Sequence, residues 1–241
     1  MKSVFITGTD TGVGKTVISA SLAAYLSIRK NQDVGVMKPF ESGSSPIGGD
    51  AQILREASGT SDDMSDINPY LFPIPAAPEV AARLDKVVID IDRVTGSYRR
   101  LVERHDIVIV EGAGGLLVPI ADGFFYADLI SSLAVPTIIV SKLSLGTINH
   151  TMLTDRYLKA IGITVIGVIL NDTEGNNDVA SQTNPEILEK YLNVPLLGIF
   201  PHIPDIFAKG VDREHLAELF ERHINCELFF ERMASTERVC G

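Results

Sequence analysis

The chain has 241 residues, 45% of them hydrophobic, and a formal net charge of −10. The apolar content suffices for the two-sided core of one α/β domain spanning 1–241. The acidic balance argues against nucleic acid or an anionic membrane as a main partner, because both require a basic footprint, so any basic site is a local pocket. No apolar run approaches a membrane span. Met1, Lys2 and Ser3 run straight into a strand pattern, so no secretory leader is expected and the expected location is cytoplasmic. Cys226 and Cys240 have neither a disulfide-framework count nor a metal-ligand spacing.

The first apolar run, 4–7, reads as a strand. It leads into Gly8-Thr9-Asp10-Thr11-Gly12-Val13-Gly14-Lys15-Thr16, and Ile18, Leu22, Tyr25 and Leu26 then recur at helical spacing over 15–29. A strand, a glycine-rich loop and a helix form a phosphate cradle, because loop N–H groups and the positive helix end point at the anion. In that setting Lys15 reaches the β/γ-phosphates and the Thr16 hydroxyl ligates Mg2+. Two departures matter. The first glycine of the usual spacing falls at Thr9 but stands at Gly8, and Asp10 occupies the place where a related group of ATPases carries a second lysine.

The next strand, 34–37, ends at Lys38, which is positioned to face the same crevice. Gly48 and Gly49 lead to Asp50, a candidate N-cap for a helix over 51–57. The stretch 60–80 breaks the pattern, and the proline-rich run 68–78 reads as a packed surface connection. A helix follows over 90–104, then a strand over 107–110 ending in Glu111-Gly112-Ala113-Gly114-Gly115. An acid at the end of an apolar strand is the usual second half of a phosphate-loop site, holding the magnesium shell.

A strand over 136–140 precedes Gly146-Thr147-Ile148-Asn149-His150, which opens a helix over 146–161. Free N–H groups at that start can receive a carboxylate, while His150 reads equally as a surface or core residue. The strand 165–170 ends in Asn171, whose amide can pair with adenine; the Asn-Lys-x-Asp pattern that selects guanine is missing. Helix 185–192, strand 196–199 and one final helix over 212–234, with Leu216, Leu219 and Phe220 on one face, complete the chain. The alternation predicts a parallel sheet with helices on both faces and ligands at the C-terminal ends of its strands.

Gly8–Thr16, Lys38–Gly43, Glu111–Pro119, Gly146–His150 and the strand ending at Asn171 together resemble the dethiobiotin synthetase family. The resemblance implies a single-domain, P-loop NTPase-like fold and a homodimer with its site at the subunit interface. It implies an ATP-dependent ligase of biotin biosynthesis. The reaction would convert 7,8-diaminononanoate, CO2 and ATP to dethiobiotin, ADP and phosphate, through a carbamate and a mixed anhydride.

It also implies roles at matching positions. Lys38, Lys15 and Thr11 would be catalytic. Thr9, Asp10, Thr11, Gly12, Val13, Gly14, Lys15 and Thr16 would hold the nucleotide phosphates, with Asn171 and Pro201 at the adenine. Thr16, Asp50 and Glu111 would hold magnesium. Thr11, Lys38, Ser42 and Gly114 would adjoin the substrate, whose carboxylate would meet Gly146, Thr147 and Asn149 of the partner subunit. Glu41 and Glu79 depart from common family choices and receive no role. A switch ATPase of the partitioning or iron-protein type is the main alternative; Asp10 in place of the second lysine argues against it. An amide-forming enzyme with a glutaminase domain and a non-enzymatic nucleotide module are further readings.

Overall fold

A computed structural model describes residues 3–43 and 49–237; Gly48 and Cys240 lie outside them. The chain runs β1 (Ser3–Gly8), α1 (Lys15–Arg29), β2 (Val34–Met37), β3 (Phe40–Ser42), α2 (Asp50–Ser58), α3 (Met64–Ile67), β4 (Tyr70–Phe72), α4 (Pro78–Asp85) and α5 (Ile91–Arg104). It continues with β5 (Ile107–Glu111), β6 (Pro119–Ala121), β7 (Phe124–Phe125), α6 (Tyr126–Leu133), β8 (Thr137–Lys142), α7 (Thr147–Ala160), β9 (Val165–Asn171), α8 (Val179–Tyr191), β10 (Leu196–Phe200), α9 (Arg213–His223) and α10 (Cys226–Glu237).

Six strands form one sheet in the order β10-β9-β8-β1-β5-β2, every pairing parallel. β1, β2, β5 and β9 are buried along their whole length. That explains their consecutive apolar residues, since both faces need covering. One core layer joins the sheet to α1, α2, α9 and α10, and includes Leu22, Tyr25, Phe220 and Phe229. The other holds Phe5, Tyr126, Leu158 and Leu188 on the opposite face. β5 lies between β1 and β2, and the register sets Ile6 beside Glu111. The phosphate loop and the acidic strand end are therefore neighbours.

Four expectations need correction. The segment 60–80 is not a bare connection. It holds α3, the start of α4, and β4, which pairs in parallel with β3 while Phe40 stacks on Tyr70 at 5.4 Å. Helix α8 begins at Val179, six residues before the expected start, and carries Pro185 inside it. Its Asp178 accepts from the Ser181 N–H at 2.7 Å, a cap upstream of the apolar pattern. The final helix is two helices. Ile224 bridges Gly198, the Asn225 N–H donates to Leu197 O at 2.7 Å, and the Asn225 side chain caps Leu228 N at 3.0 Å. Finally, Gly49 takes the cap position of α2, and Asp50 is the helix's first residue with its side chain directed elsewhere.

Candidate active site

The loop after β1 turns into α1 at Gly14, whose φ of +85° favours glycine. A β-carbon there would also strike the Asn171 amide. The displaced glycine has a steric reason as well. A β-carbon at position 8 would lie 2.7 Å from Lys15 Nζ and 2.9 Å from Asp10 O, so the lysine folds back over a bare backbone. Lys15 Nζ donates to Asp10 O at 3.0 Å and has no carboxylate within ion-pair distance among the described residues. Burial first, and the nearby Lys38 second, lower its pKa to about 8, against the pull of Glu111, Asp50 and Asp10.

Lys38 leaves β2 into the same cleft. Its ammonium donates to Asp50 Oδ2 at 2.8 Å, to Glu111 Oε1, and to Gly112 O at 3.4 Å. Burial works against this charge, but the Glu111 and Asp50 carboxylates outweigh it and hold the Lys38 pKa above its ordinary value. Burial likewise opposes ionisation of Asp50, and Lys38 reverses the sign, keeping that carboxyl below its usual range. The Thr16 hydroxyl donates to Glu111 Oε1 at 2.9 Å. The other Glu111 oxygen, Oε2, is buried with no hydrogen-bond partner among the described residues. Thr16, Asp50 and Glu111 thus present hard oxygen donors and an unused carboxylate lone pair, a set suited to Mg2+ shared with phosphate oxygens.

Three clefts surround the loop. One of about 350 Å3 lies between Gly12, Lys15, Lys38, Asp50 and Gly114. A second, about 260 Å3, is reached past Gly14 and is walled by Asn171, Pro201 and Ile203. A third, about 630 Å3 and largely apolar, runs from Thr9 and Asp10 along Leu116, Leu117, Leu153 and Tyr157. Two cationic side chains, two carboxylates and a hydroxyl therefore meet at the C-terminal ends of β1, β2 and β5, with two further clefts beside them.

The AAA domain family matches residues 2–209. The ATP-dependent dethiobiotin synthetase BioD of Bacillus licheniformis is 40% identical over 235 residues, covering 97% of this chain and 97% of its own length. Its counterparts from Bacillus subtilis strain 168 and Nitrosopumilus maritimus are 40% identical over 235 residues and 36% identical over 228, covering 97% and 90% of this chain and 99% of each relative. This chain belongs to the ATP-dependent dethiobiotin synthetase family. It is therefore an ATP-dependent ligase. Among solved structures, a putative plasmid partition protein from Borrelia burgdorferi B31 bound to AMPPNP aligns with a TM-score of 0.60 at 16% identity, covering 98% of this chain and 99% of its own. MinD from Pyrococcus horikoshii with Mg-ADP aligns at 0.52 and 17%, covering 100% of this chain and 97% of its own. Those likenesses extend to the fold alone.

Of the remaining candidate residues of this synthetase, Thr11 and Ser42 line the cleft that holds Lys15 and Lys38. Thr11 is exposed at the rim, with its N–H on Asp10 Oδ1 at 2.7 Å. Val13 is buried, and its carbonyl accepts the Asn171 amide at 2.9 Å, tying the loop to the end of β9. The Ser42 hydroxyl donates to Ala76 O at 2.8 Å. Gly146 and Asn149 are exposed at the start of α7, as is His150, whereas Thr147 is buried with its hydroxyl on Ser141 at 2.6 Å. Glu79 opens α4 as a first-turn acid. Glu41 proves structural: one oxygen accepts Asp50 N at 2.8 Å and the other Ala51 N at 3.0 Å, so it closes the N-terminus of α2. Sequence reasoning missed this role, and it also missed the buried hydroxyls of Ser141 and Thr151.

Proposed function

We propose that this synthetase carboxylates 7,8-diaminononanoate and closes its ring to dethiobiotin in biotin biosynthesis, consuming ATP. The observation that carries the reading is the convergence of Lys15 and Lys38 on one cleft beside Glu111, Asp50 and Thr16, in a chain of this family. The phosphate loop from Thr9 to Thr16 holds the triphosphate, with adenine in the cleft walled by Asn171 and Pro201. Thr16, Asp50 and Glu111 would hold Mg2+, which neutralises charge on the phosphate oxygens when bound.

The substrate lies in the cleft bounded by Thr11, Lys38, Ser42 and Gly114. Two ammonium groups nearby favour the neutral form of the attacking amine and then stabilise the carbamate anion formed with CO2. A carbamate oxygen attacks the γ-phosphorus and ADP leaves, with Lys15 offsetting the charge that develops. The second amine attacks the carbonyl carbon of the resulting mixed anhydride and expels phosphate, closing the cyclic urea. Alignment of the reacting groups supplies much of the rate, since effective molarity is worth about 7–11 kcal/mol.

The chain works as a homodimer in this reading. Leu153 is 60% exposed and Leu117 57%, both lining the apolar groove, and Leu145, just ahead of α7, is 89% exposed. A second copy would cover that surface. It would also bring the start of α7, where Gly146 supplies no side-chain cap, to the substrate carboxylate of the partner's site. Incubation with the diamine, bicarbonate and ATP tests the proposal by following dethiobiotin by mass spectrometry alongside phosphate. A switch ATPase would release phosphate at a rate indifferent to the diamine, and that result would sink it.

A further inference from the structure

Four hydroxyls form a network, and two of them, Ser141 and Thr151, have no part in the proposed chemistry. Ser141, near the end of β8, is fully buried. Its Oγ lies 2.6 Å from the Thr147 hydroxyl and 3.2 Å from that of Thr9, and it accepts from the Thr151 hydroxyl at 2.8 Å. Thr147 and Thr151 are themselves 3.4 Å apart. The backbone reinforces the link, because Thr9 N donates to Val140 O at 3.0 Å. Ser141 follows three apolar residues, Ile138, Ile139 and Val140, all buried. A hydroxyl at this depth is unfavourable unless it is bonded, so filling the space does not explain it.

One end of the network is in the phosphate loop and the other is the first turn of α7. Each hydroxyl has a single proton to donate. With Thr151 donating to Ser141, the Ser141 proton goes either to Thr147 or to Thr9. If Thr9 donates its hydrogen bond to a bound phosphate oxygen, Ser141 turns its own O–H toward Thr9, and Thr147 must then donate to Ser141. Without that anion, Thr9 donates to Ser141 and Ser141 to Thr147. The steps are rotations of O–H bonds, with no proton transferred.

We propose that Ser141 is a positioning residue that couples nucleotide occupancy of the phosphate loop to the first turn of α7. Its consequence for the diamine rests on the function proposed above, in which that turn faces substrate. Hydrogen–deuterium exchange over residues 143–152, with and without saturating ADP and Mg2+, tests the coupling without any diamine. ADP slows exchange of this segment in the native protein, and Ser141→Ala abolishes the slowing. Thr151→Val reduces it while Thr151→Ser retains it, a rescue that general loosening of the core would not produce. Slowing that persists in Ser141→Ala, or none in the native protein, overturns the inference.

A second arm measures diamine affinity with and without a non-hydrolysable ATP analogue. The native protein shows a shift of about fivefold or more, within the usual range of coupling between sites. The shift vanishes in Ser141→Ala. A native protein that fails to bind the diamine at all refutes the proposed substrate, while the exchange experiment still decides the coupling.

Discussion

Two clusters of polar and charged side chains lie at opposite ends of the six-stranded sheet, and they differ in how completely their buried members are satisfied. At the N-terminal ends of β2 and β5, His105 Nδ1 meets Asp33 Oδ1 at 2.8 Å and His105 Nε2 meets Asp62 Oδ2 at 2.6 Å. Arg104 reaches Asp62 Oδ1 at 2.8 Å and also Asp66, whose Oδ1 accepts from Arg100 Nε at 2.9 Å. Both oxygens of Asp62 and of Asp66 are engaged. At the C-terminal ends, among the described residues, the Lys15 ammonium meets a backbone carbonyl and no carboxylate, and one oxygen of Glu111 has no partner. A closed network of this kind fixes elements in place, whereas buried groups with unspent bonding capacity mark a site prepared for a ligand.

The largest expected effect tests the open cluster. Lys38→Met removes the ammonium that holds Glu111 and Asp50 together. Dethiobiotin formation should fall by about 10²–10³-fold, the usual loss when one group stabilising developing charge is deleted. Nucleotide binding should remain largely intact, because Lys15 and the loop amides persist. Near-normal turnover in this variant contradicts the role given to Lys38.

The closed cluster should respond in the opposite manner. Asp62→Asn deprives His105 and Arg104 of a shared carboxylate. Unfolding free energy should drop by roughly 2–3 kcal/mol, the scale for losing hydrogen bonds to a charged group. Turnover measured well below the melting temperature should not change. Chemical denaturation and steady-state kinetics on one preparation separate the two; a large kinetic defect with unchanged stability would erase the distinction between the clusters.

These two ends were not equally legible in the sequence. The open cluster stands on local spacing: Gly8 to Thr16, Lys38 directly after an apolar run, and Glu111 at the end of another. The parallel sheet was legible for a related reason, because strands buried on both faces read as unbroken apolar runs. The closed cluster left no such trace, since Asp33, Asp62 and His105 come from separate connections. The hydroxyl chain was hidden in the same way, with Thr9 and Ser141 132 positions apart. The break at Ile224–Asn225 is set by contacts with β10, so the helical periodicity on either side concealed it. The short pair β3–β4 depends on aromatic stacking of Phe40 on Tyr70 across thirty residues of chain.

The lowered pKa of Lys15 sharpens the comparison through pH. In the free protein the ammonium loses its proton near pH 8, chiefly because it is buried. A bound phosphate favours the charged form and raises that pKa in the complex. Affinity is therefore fully present below about pH 8 and declines above it, approaching ~10-fold per pH unit, with one proton taken up on binding. Folding shows the reverse sense. The unfolded lysine, at its ordinary 10.5, holds a proton that the folded one has lost between pH 8 and 10.5, so the cost of burying this ammonium is relieved as pH rises through that window. Calorimetric titration with ADP from pH 7 to 9.5 checks the first statement, and Lys15→Arg should flatten the profile. A flat native profile would mean that Lys15 does not meet the phosphates.

The smallest effect concerns the residue that joins a closed bond to the open cluster. Glu41 is 4% exposed and gives one oxygen to each of the N–H groups of Asp50 and Ala51. That closure frees the Asp50 side chain to hold Lys38 at 2.8 Å instead of capping its own helix. Glu41→Gln keeps the shape but supplies a single acceptor oxygen, so one of the two N–H groups faces an amide NH2, and the negative charge at the positive helix end is lost. Stability should fall by about 1 kcal/mol, as for other helix N-terminal caps, readable as a shift of the urea midpoint. Turnover should fall less than tenfold, because Asp50 is loosened rather than removed. A loss matching that of Lys38→Met would instead place Glu41 among the groups that touch the reacting atoms.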